Sequence, residues 1–421
     1  MKKNHKFKET EIGMIPEDWE VRPIKELVKV NERSMSRDYI FSEIEYIDIN
    51  SVEKGIINNR QLLLLEKAPS RARRIVRKND IIISTVRPNL KHFAFIKDAN
   101  NNTVVSTGFA VISSKKINPR FLYYYLTTDK YTEYLTAIAD AHTSTYPSFN
   151  SDIIENSFVP YPSDEEQSAI AEILSSLDNR IELNQQMNAT LEKIGQAIFK
   201  HWFIDFEFPD EKGRAYKSSG GEMVDSELGK IPKGWGVKPI DGIADFLNGL
   251  ALQKYPPKND EEYLPVIKIR ELRQGVTESS DKANLNIPNE YIVTNGDILF
   301  SWSGSLDVVI WGFGKGALNQ HLFKVTSRHY PKWLYYYWIL KYLPEYKHIA
   351  EGKATTMGHI QRHHLTNSLV AVPDKTMLAK MDNILTPIIN KIVELKTESR
   401  NLSQIRDSLL PRLMSGRIRV Q

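Results

Sequence analysis

Residues 13–28 read GMIPEDWEVRPIKELV, and residues 229–244 read GKIPKGWGVKPIDGIA. Seven of these sixteen aligned positions are identical, including the tryptophan and two prolines of each segment. Three further segments recur in the same order, with offsets between 211 and 217 residues: 75–84 with 292–301, 119–125 with 331–337, and 156–162 with 367–373. The sequence therefore predicts two copies of one unit about 210 residues long, a period far too long for a stacked solenoid repeat.

Composition excludes several classes of protein. Of the 421 residues, 41% are hydrophobic and 26% are charged, so a disordered or fibrous protein is not expected. Because no cysteine is present, we exclude a disulfide scaffold, a cysteine-ligated metal centre and a thiol nucleophile. The lack of cysteine fits a reducing compartment, and the sequence shows neither a signal peptide nor an apolar run of about 20 residues. We therefore expect a cytoplasmic protein without a membrane partner. The net charge is only +4, so any binding to nucleic acid must depend on where the positive charges lie in the chain.

The first 150 or so residues of each copy mix strand and helix signals. Short β-rich runs such as 80–85 and 103–113 alternate with turn dipeptides. The tyrosine-rich segments 121–128 and 333–341 follow a proline and have the spacing of short helices. Their tyrosines could stack on bases, but their repeated apolar setting favours a buried helix face.

A long helix is predicted to end each copy. Ser163 is the expected N-cap of the first helix, with Glu166 completing a capping box. No proline then follows until after Phe203. About 40 residues at 1.5 Å per residue give a helix of roughly 60 Å.

Apolar residues recur at intervals of four and three along both predicted helices, which is the pattern of a coiled-coil seam. We predict that the two helices bury these seams against each other and that a pseudo-twofold axis makes them antiparallel. Asn184 and Asn188 lie in the seam, either as polar residues that set the register or as contacts for a partner helix. The apolar seam residues are Leu174, Leu177, Ile181, Leu191, Leu385, Ile388, Ile392, Leu395 and Leu402.

The predicted fold class is α+β, with two pseudo-twofold-related mixed α/β domains separated by two long antiparallel coiled-coil helices. The expected boundaries are 1–162 for the first globular domain, 163–208 for the central helix, 209–373 for a linker and the second globular domain, and 374–421 for the C-terminal helix.

Motifs of catalysis are missing from the sequence. A methyltransferase that acts on an adenine amino group needs an Asn/Asp-Pro-Pro-Tyr/Phe loop, whereas residues 255–258, YPPK, have the wrong order. No phosphate-binding P-loop spacing occurs. His359, His363 and His364 lack the glutamate of an H-E-x-x-H motif, so we expect polar residues near a phosphate-binding face rather than metal ligands. The chain is therefore expected to be non-catalytic, with no metal or cofactor of its own.

Positive charge is concentrated in the first copy, where residues 71–78, RARRIVRK, carry five positive charges. The loop after the following strand is basic in the first copy, whereas its counterpart in the second copy, 301–305, is small, polar and nearly neutral. Polar loops also precede the last strand of each copy, at 141–147 and 353–359. Two different base-reading surfaces would require such divergence on a shared framework. Arg, Lys, Asn and Gln read base edges, and Ser, Thr and Lys hold phosphates. The alternative for any one of these residues is a solvated surface position. The predicted DNA contacts are Arg71, Arg73, Arg74, Arg77, Lys78, Arg87, Lys91, Thr143, Ser144, Thr145, Tyr146, Ser303, Ser305, Lys353, Thr355, Thr356, His359, Gln361 and Arg362.

With these features the chain resembles the specificity subunit of type I restriction–modification systems. The resemblance is carried by the repeated Gly-x-Ile-Pro-x-x-Trp-x-Val opening and the repeated hydrophobic-Asp-Ile strand. It is carried also by the central segment 197–209, AIFKHWFIDFEFP, followed by GEMV at 221–224 and SELG at 226–229. Together these motifs span essentially the whole chain.

The resemblance implies two target-recognition domains, each of which reads one half of a split site in double-stranded DNA. It implies that the helices are spacers on which two methyltransferase subunits dock, and that a restriction and translocase subunit joins the complex. S-adenosylmethionine, ATP and Mg²⁺ would then belong to the partner subunits, and the assembled complex would be an adenine-N6 methyltransferase and ATP-dependent endonuclease. Two alternatives remain at this stage, a DNA-binding coiled-coil adaptor outside restriction and a stand-alone DNA-modifying enzyme.

Overall fold

The computed structural model describes residues 6–36, 38–142, 146–257, 262–352 and 358–420. The chain forms two compact units, the first made of residues 1–179 with 403–421 and the second of residues 180–402. The division falls within both long helices, whereas the boundaries predicted from the sequence lie at the helix ends. The prediction of a mixed helix-and-sheet fold with two domains and long helices is confirmed.

Short strands form the β-structure of each unit. Those of the first unit are β1 (Phe7–Thr10), β2 (Gly13–Pro16), β3 (Glu20–Pro23), β4 (Val28–Val30), β5 (Glu43–Ile47), β6 (Val52–Glu53), β7 (Ile56–Ile57), β8 (Gln61–Leu64), β9 (Ala72–Ile75), β10 (Ile81–Ser84), β11 (Phe93–Phe95), β12 (Thr103–Ser106), β13 (Phe109–Ser114) and β14 (Phe158–Tyr161). Those of the second unit are β15 (Met223–Ser226), β16 (Gly229–Pro232), β17 (Gly236–Pro239), β18 (Asp245–Asn248), β19 (Leu264–Ile267), β20 (Lys282–Ala283), β21 (Ile292–Val293), β22 (Ile298–Ser301), β23 (Asp307–Ile310), β24 (Gly316–Leu318), β25 (Leu322–Thr326) and β26 (Leu369–Val372).

Both units contain the same two four-stranded sheets. Their strand orders are β11-β10-β13-β4 and β8-β5-β12-β9 in the first unit, and β23-β22-β25-β18 and β20-β19-β24-β21 in the second. One pair in each unit is parallel, β5 with β12 and β19 with β24. The hairpins β1-β2 and β15-β16 and the pairs β3-β14 and β17-β26 also correspond. The repeat that the sequence predicts is therefore present in the strand order itself.

The repeated hydrophobic-Asp-Ile motif begins the central strand of each unit. Asp80 Oδ2 accepts the Arg77 backbone N–H at 2.7 Å, and Asp297 Oδ2 accepts the Thr294 N–H at 2.8 Å. Each aspartate thus closes the turn that enters β10 or β22. This local bond explains why an aspartate recurs at a position followed by four buried residues.

Helices pack on these sheets and extend beyond them. They are α1 (Pro119–Leu126), α2 (Asp129–His142), α3 (Asp152–Asn156), α4 (Asp164–Phe199), α5 (Ile269–Gln274), α6 (Lys332–Glu351), α7 (Arg362–Asn367) and α8 (Lys375–Met414), and a π-helical turn, Lys200–Ile204, follows α4. The tyrosines of α1 and α6 are buried or half-buried, as in a core helix face. No helix in the described ranges is long and apolar enough to cross a membrane.

The beginning of α4 lies in the core of the first unit. Ser163 Oγ accepts the Glu166 N–H at 3.3 Å, as expected of an N-cap. The other half of the predicted capping box is wrong, because the buried Glu166 carboxylate instead accepts the Trp19 indole N–H at 2.9 Å and a bond from Arg419 at 2.7 Å. A buried carboxylate requires such partners, and here they join the repeated opening segment to α4.

Segments of α4 and α8 run antiparallel within each unit. In the first unit, Asp178 of α4 pairs with Arg406 of α8 at 2.8 Å. Glu166, earlier in α4, pairs at 2.7 Å with Arg419, which follows the end of α8. In the second unit, Arg180 pairs with Glu398 at 2.9 Å and Glu192 pairs with Lys396 at 3.3 Å. All nine predicted apolar seam residues are buried or half-buried.

Asn184 and Asn188 of α4 are 0% and 8% exposed. Side chains that are covered in this way are not available to a further helix. This burial places both asparagines inside the helix packing, as their seam positions predict.

Candidate nucleic-acid interface

In each unit, the loop after the central strand pairs with the loop before the last strand. In the first unit, Phe149 N–H donates to Thr85 O at 3.0 Å, and Arg87 N–H donates to Pro147 O at 2.8 Å. Residues of both loops are predicted from the sequence to contact DNA, but no sequence pattern places the two loops together. We call this pair of contacts the loop bridge.

The second unit contains the same loop bridge at the corresponding positions. Ile360 N–H donates to Trp302 O at 3.0 Å, and Gly304 N–H donates to Gly358 O at 2.8 Å. Both contacts are made by the backbone alone. The side chains on the bridged loops are therefore free to differ while the frame stays the same.

The bridged loops of the first unit are exposed and basic. The Arg87 guanidinium lies over the Tyr146 ring, 5.0 Å from its centroid, and Tyr146 is 65% exposed. Lys91 pairs with Asp129 at 2.5 Å. Arg87, Lys91 and Tyr146, which the sequence analysis predicted as DNA contacts, are thus brought to one loop cluster, where a guanidinium on an aromatic ring could contact phosphate or base.

The Arg71–Lys78 segment divides between surface and interior. Arg71, Arg73, Arg77 and Lys78 are exposed, and Arg71 pairs with Asp48 at 2.6 Å. The four residues remain candidates for phosphate contacts.

Arg74, also predicted to contact DNA, does not have the exposed position that such a contact needs. Its guanidinium donates to Asn31 Oδ1 at 2.6 Å and to the Phe109 carbonyl, inside the unit. Burial lowers the pKa of this guanidinium. Because its donors are used within the protein, we remove Arg74 from the candidate DNA contacts and assign it to the support of the sheets.

The bridged loops of the second unit are built around Trp302. Its indole N–H donates to Asn248 Oδ1 at 2.9 Å. Its ring lies near those of His321, Phe323 and His359, with centroids 6.1, 5.9 and 6.3 Å away. These contacts fix a half-exposed aromatic ring among groups that can donate to or accept from base edges.

Ser303 and Ser305, both predicted contacts, have different surroundings. Ser303 is 4% exposed and its Oγ lies 2.9 Å from His321 Nδ1, so it positions the histidine and cannot reach DNA itself. Ser305 is exposed and accepts a bond from Arg273 at 2.7 Å. The prediction for Ser303 is therefore corrected to a supporting role.

Gln361 and Arg362 lie at the start of α7. Gln361 N–H donates to His364 Nδ1 at 2.8 Å, which caps the helix. Arg362 donates to the Phe246 carbonyl at 3.1 Å and lies over the Phe323 ring at 5.5 Å from its centroid. Both residues are exposed beside the Trp302 cluster. Among the residues whose placement is described, no three His, Asp or Glu side chains form a group that could hold a metal ion.

Several residues of the second unit's loop cluster carry no signal in the sequence. Asn248, Arg273 and His321 are separate polar residues that carry no motif, and only the fold brings them beside Trp302 and Ser305. Trp302 itself could have been found from the sequence, because it is a large aromatic residue in a loop of otherwise small and polar residues. The predicted contacts Thr143, Ser144, Thr145, Lys353, Thr355 and Thr356 lie outside the described residues.

Known proteins resemble the chain over its whole length. A family described as the type I restriction modification DNA specificity domain matches twice, at residues 16–193 and 232–403. The type I restriction enzyme MjaIX specificity subunit of Methanocaldococcus jannaschii is 30% identical over 99% of this chain and 97% of its own length. The HindI specificity subunit of Haemophilus influenzae is 26% identical over 92% of this chain and 97% of its own length.

The fold also resembles a solved structure. The type I restriction–modification S subunit from M. genitalium matches with a TM-score of 0.55 at 16% identity, covering 94% of this chain and 96% of that chain. The two matches of the specificity domain coincide with the two copies found in the sequence. From these matches we conclude that the chain belongs to the family of type I restriction–modification specificity subunits.

Proposed function

We propose that this chain is the sequence-specific DNA-binding subunit of a type I restriction–modification complex, and that each unit reads one half of a split target in double-stranded DNA. The observation that carries this proposal is the loop bridge. Both units present the same backbone frame, but one carries Arg87 and Tyr146 and the other carries Trp302 and His359. Two copies of one frame with different side chains suit the reading of two different half-sites.

The chemistry of the two clusters supports different modes of contact. Exposed guanidinium groups such as Arg73, Arg77 and Arg87 suit phosphate contacts and bidentate contacts to guanine. In the second unit, Asn248, Gln361 and Arg362 add amide and guanidinium groups beside a fixed ring. Amides pair well with adenine edges, and guanidinium groups with guanine edges.

We propose that two methyltransferase subunits dock on the long helices and that restriction and translocase subunits complete the complex. One face of α4 supports this proposal, because Leu183, Met187 and Ile194 are spaced by four and seven residues and are 45%, 37% and 44% exposed. Apolar side chains at this spacing suit contact with another helix.

The chain itself is proposed to be non-catalytic, with S-adenosylmethionine, ATP and Mg²⁺ bound by partner subunits. The purified chain, incubated alone with DNA, methyl donor, ATP and Mg²⁺, should give neither methylated nor cut product. Formation of either product would contradict this part of the proposal.

Exchange of one recognition domain tests the proposal most directly. Residues 20–158 would be replaced by the equivalent segment of a relative, and the modified motif would be read by single-molecule methylome sequencing of cells that carry the complex. We expect one half of the split motif to change and the other half to remain. The reciprocal exchange, in the second unit, is the matched control and should change only the other half. A change in both halves from one exchange would refute separate reading.

A further inference from the structure

Two turns of the first unit hold basic residues in a left-handed backbone conformation. Within the described ranges, six non-glycine residues have positive φ, and three of them are Lys54, Arg87 and Lys91, at φ of 45°, 47° and 58°. This conformation costs free energy for any residue with a Cβ atom and persists only where the surroundings enforce it. Such a concentration of strain indicates a surface whose shape is important.

The two turns are bonded to each other. Lys54 N–H donates to Lys91 O at 2.9 Å, and the neighbouring Gly55 N–H donates to Phe93 O at 2.8 Å. Gly55 also faces the Tyr123 hydroxyl, where an added Cβ would lie 2.6 Å from the oxygen. Lys91 is fixed further by its ion pair with Asp129. The turns therefore form one rigid element.

Leu90 lies on this rigid element, between Arg87 and Lys91. The residue ends a short 3-10 helix, Pro88–Leu90, and is 46% exposed, whereas Pro88 is buried and anchors the turn. An apolar side chain exposed on a strained turn that also carries the exposed Arg87, with the exposed Lys54 on the turn bonded to it, is placed for an anionic partner that offers an apolar interior. Stacked base pairs between phosphates have these two properties.

We propose that Leu90 is a wedge that enters a base step of the half-site bound by the first unit, while Lys54 and Arg87 contact the flanking phosphates. This inference rests on the proposed DNA-binding function and adds a mode of contact to it. A wedge of this kind makes recognition depend on how easily a base step unstacks, in addition to the edges of its bases. The first unit would then favour sequences whose central step is easily opened.

The second unit has no equivalent among its described residues. There Gly304 occupies the position of Arg87, and the nearby aromatic residue Trp302 is held by Asn248 and adjacent rings. The wedge is therefore expected to act on one half of the target only.

The test uses the complex of this chain with its methyltransferase subunits and duplexes that carry the split target. The fluorescent base 2-aminopurine is placed in turn at each position of the first unit's half-site, except at the base to be modified, which a methyltransferase extrudes. With the unaltered chain, fluorescence should rise at one step. Leu90→Ala should abolish the rise and weaken binding about tenfold.

Two variants serve as controls. Leu90→Phe keeps a large apolar side chain and should retain the rise. Leu62→Ala removes a leucine that is 68% exposed on β8 and should alter neither fluorescence nor affinity. A rise that survives in Leu90→Ala, or a half-site in which no position brightens although the complex binds its target, overturns the wedge but leaves the proposed function. If the unaltered complex fails to bind a split target, the proposed function fails with it.

Discussion

The loop clusters of the two units share a backbone frame but hold their side chains in different ways. In the first unit, Arg87 lies on the exposed Tyr146 ring, and four more exposed cations lie in or beside β9 of the other four-stranded sheet. In the second unit, Trp302 is fixed by Asn248 and by three adjacent rings. Charge acts on phosphates of any sequence, whereas a fixed ring among hydrogen-bonding groups acts at short range on particular bases. If each unit reads its own half-site as proposed, the first would rely more on charged groups and the second more on hydrogen-bonding groups around a fixed ring.

Lengthening both long helices should have the largest effect, a change in the preferred gap between the two half-sites. It tests whether the two surfaces act at a fixed separation. One heptad would be inserted after Asn179 and one after Leu402, where the compact units divide. A heptad adds about 10.5 Å at 1.5 Å per residue and keeps the seam in phase. If the helices set the gap, the complex should prefer the same two half-sites separated by about three more base pairs, at about 3.4 Å each.

Selection from DNA libraries with variable gaps measures this preference. Insertion of a single heptad, in α4 only, is the control and should disturb the helix pair rather than lengthen the gap. An unchanged gap with intact binding would show that the helices do not set the spacing.

Removal of the central aspartates should reveal a difference in how the two frames are supported. Asp80 is 4% exposed and binds Arg33 at 2.5 Å and Ser113 at 2.7 Å. Asp80→Ala therefore leaves the largely buried Arg33 guanidinium with only the exposed Glu32 carboxylate, 3.2 Å away. We expect a loss of about 3–5 kcal/mol in the free energy of unfolding. Asp297 pairs with Lys324 at a longer 3.2 Å, and Asp297→Ala should cost about 1–2 kcal/mol.

Urea unfolding with hydrogen exchange measured on β10 and β22 would assign each loss to its unit. Equal losses at the two positions would mean that the frames are supported alike.

Trp302→Ala should weaken discrimination in the second half-site. Loss of a ring that can stack on bases is expected to cost about 1–3 kcal/mol of binding. The variant removes no charge, so the salt dependence of binding should stay the same. Competition between the correct target and targets altered in either half measures the effect, with Trp302→Phe as the conservative control. A loss of discrimination in the first half-site would contradict the assignment.

Arg73→Ala combined with Arg77→Ala should change the salt dependence of binding, which Trp302→Ala leaves unaltered. If both residues contact phosphates, the slope of log K against log salt should become less steep by about 1.8, at about 0.9 per phosphate. Arg74→Ala is the matched control, because its side chain is bonded inside the unit and should affect folding but not the slope. Titration between 50 and 200 mM salt, in the assembled complex, decides whether the exposed arginines are merely solvated.

The repeat and the helical seam could be predicted from sequence because both depend on local patterns. Identical residues such as Trp19 and Trp235 mark the copies, and intervals of four and three mark the seam. The site was harder to predict because it depends on which loops meet. Arg74 belongs to a basic cluster in the sequence, yet strand pleating turns it toward Asn31 while Arg73 points outward.

Ser303 and Glu166 show the same limit in another way. Each is polar and was assigned from its immediate neighbours, to a DNA-contacting loop and a capping box respectively. Each is instead buried against a residue outside its own segment: His321, 18 positions away, for Ser303, and Trp19, 147 positions away, for Glu166. Burial of a polar group is decided by tertiary contacts, which a local pattern does not contain.

The loop bridge has a consequence for how such a protein can evolve. Its hydrogen bonds join backbone atoms only, at Thr85 and Phe149 in one unit and at Trp302 and Ile360 in the other. A mutation that replaces an outward-facing side chain on these loops therefore leaves the frame bonded and costs little stability. Natural selection can try new side chains there one at a time without first compensating for a weakened fold. On the proposed function, new target sequences would therefore be reached at a low mutational cost.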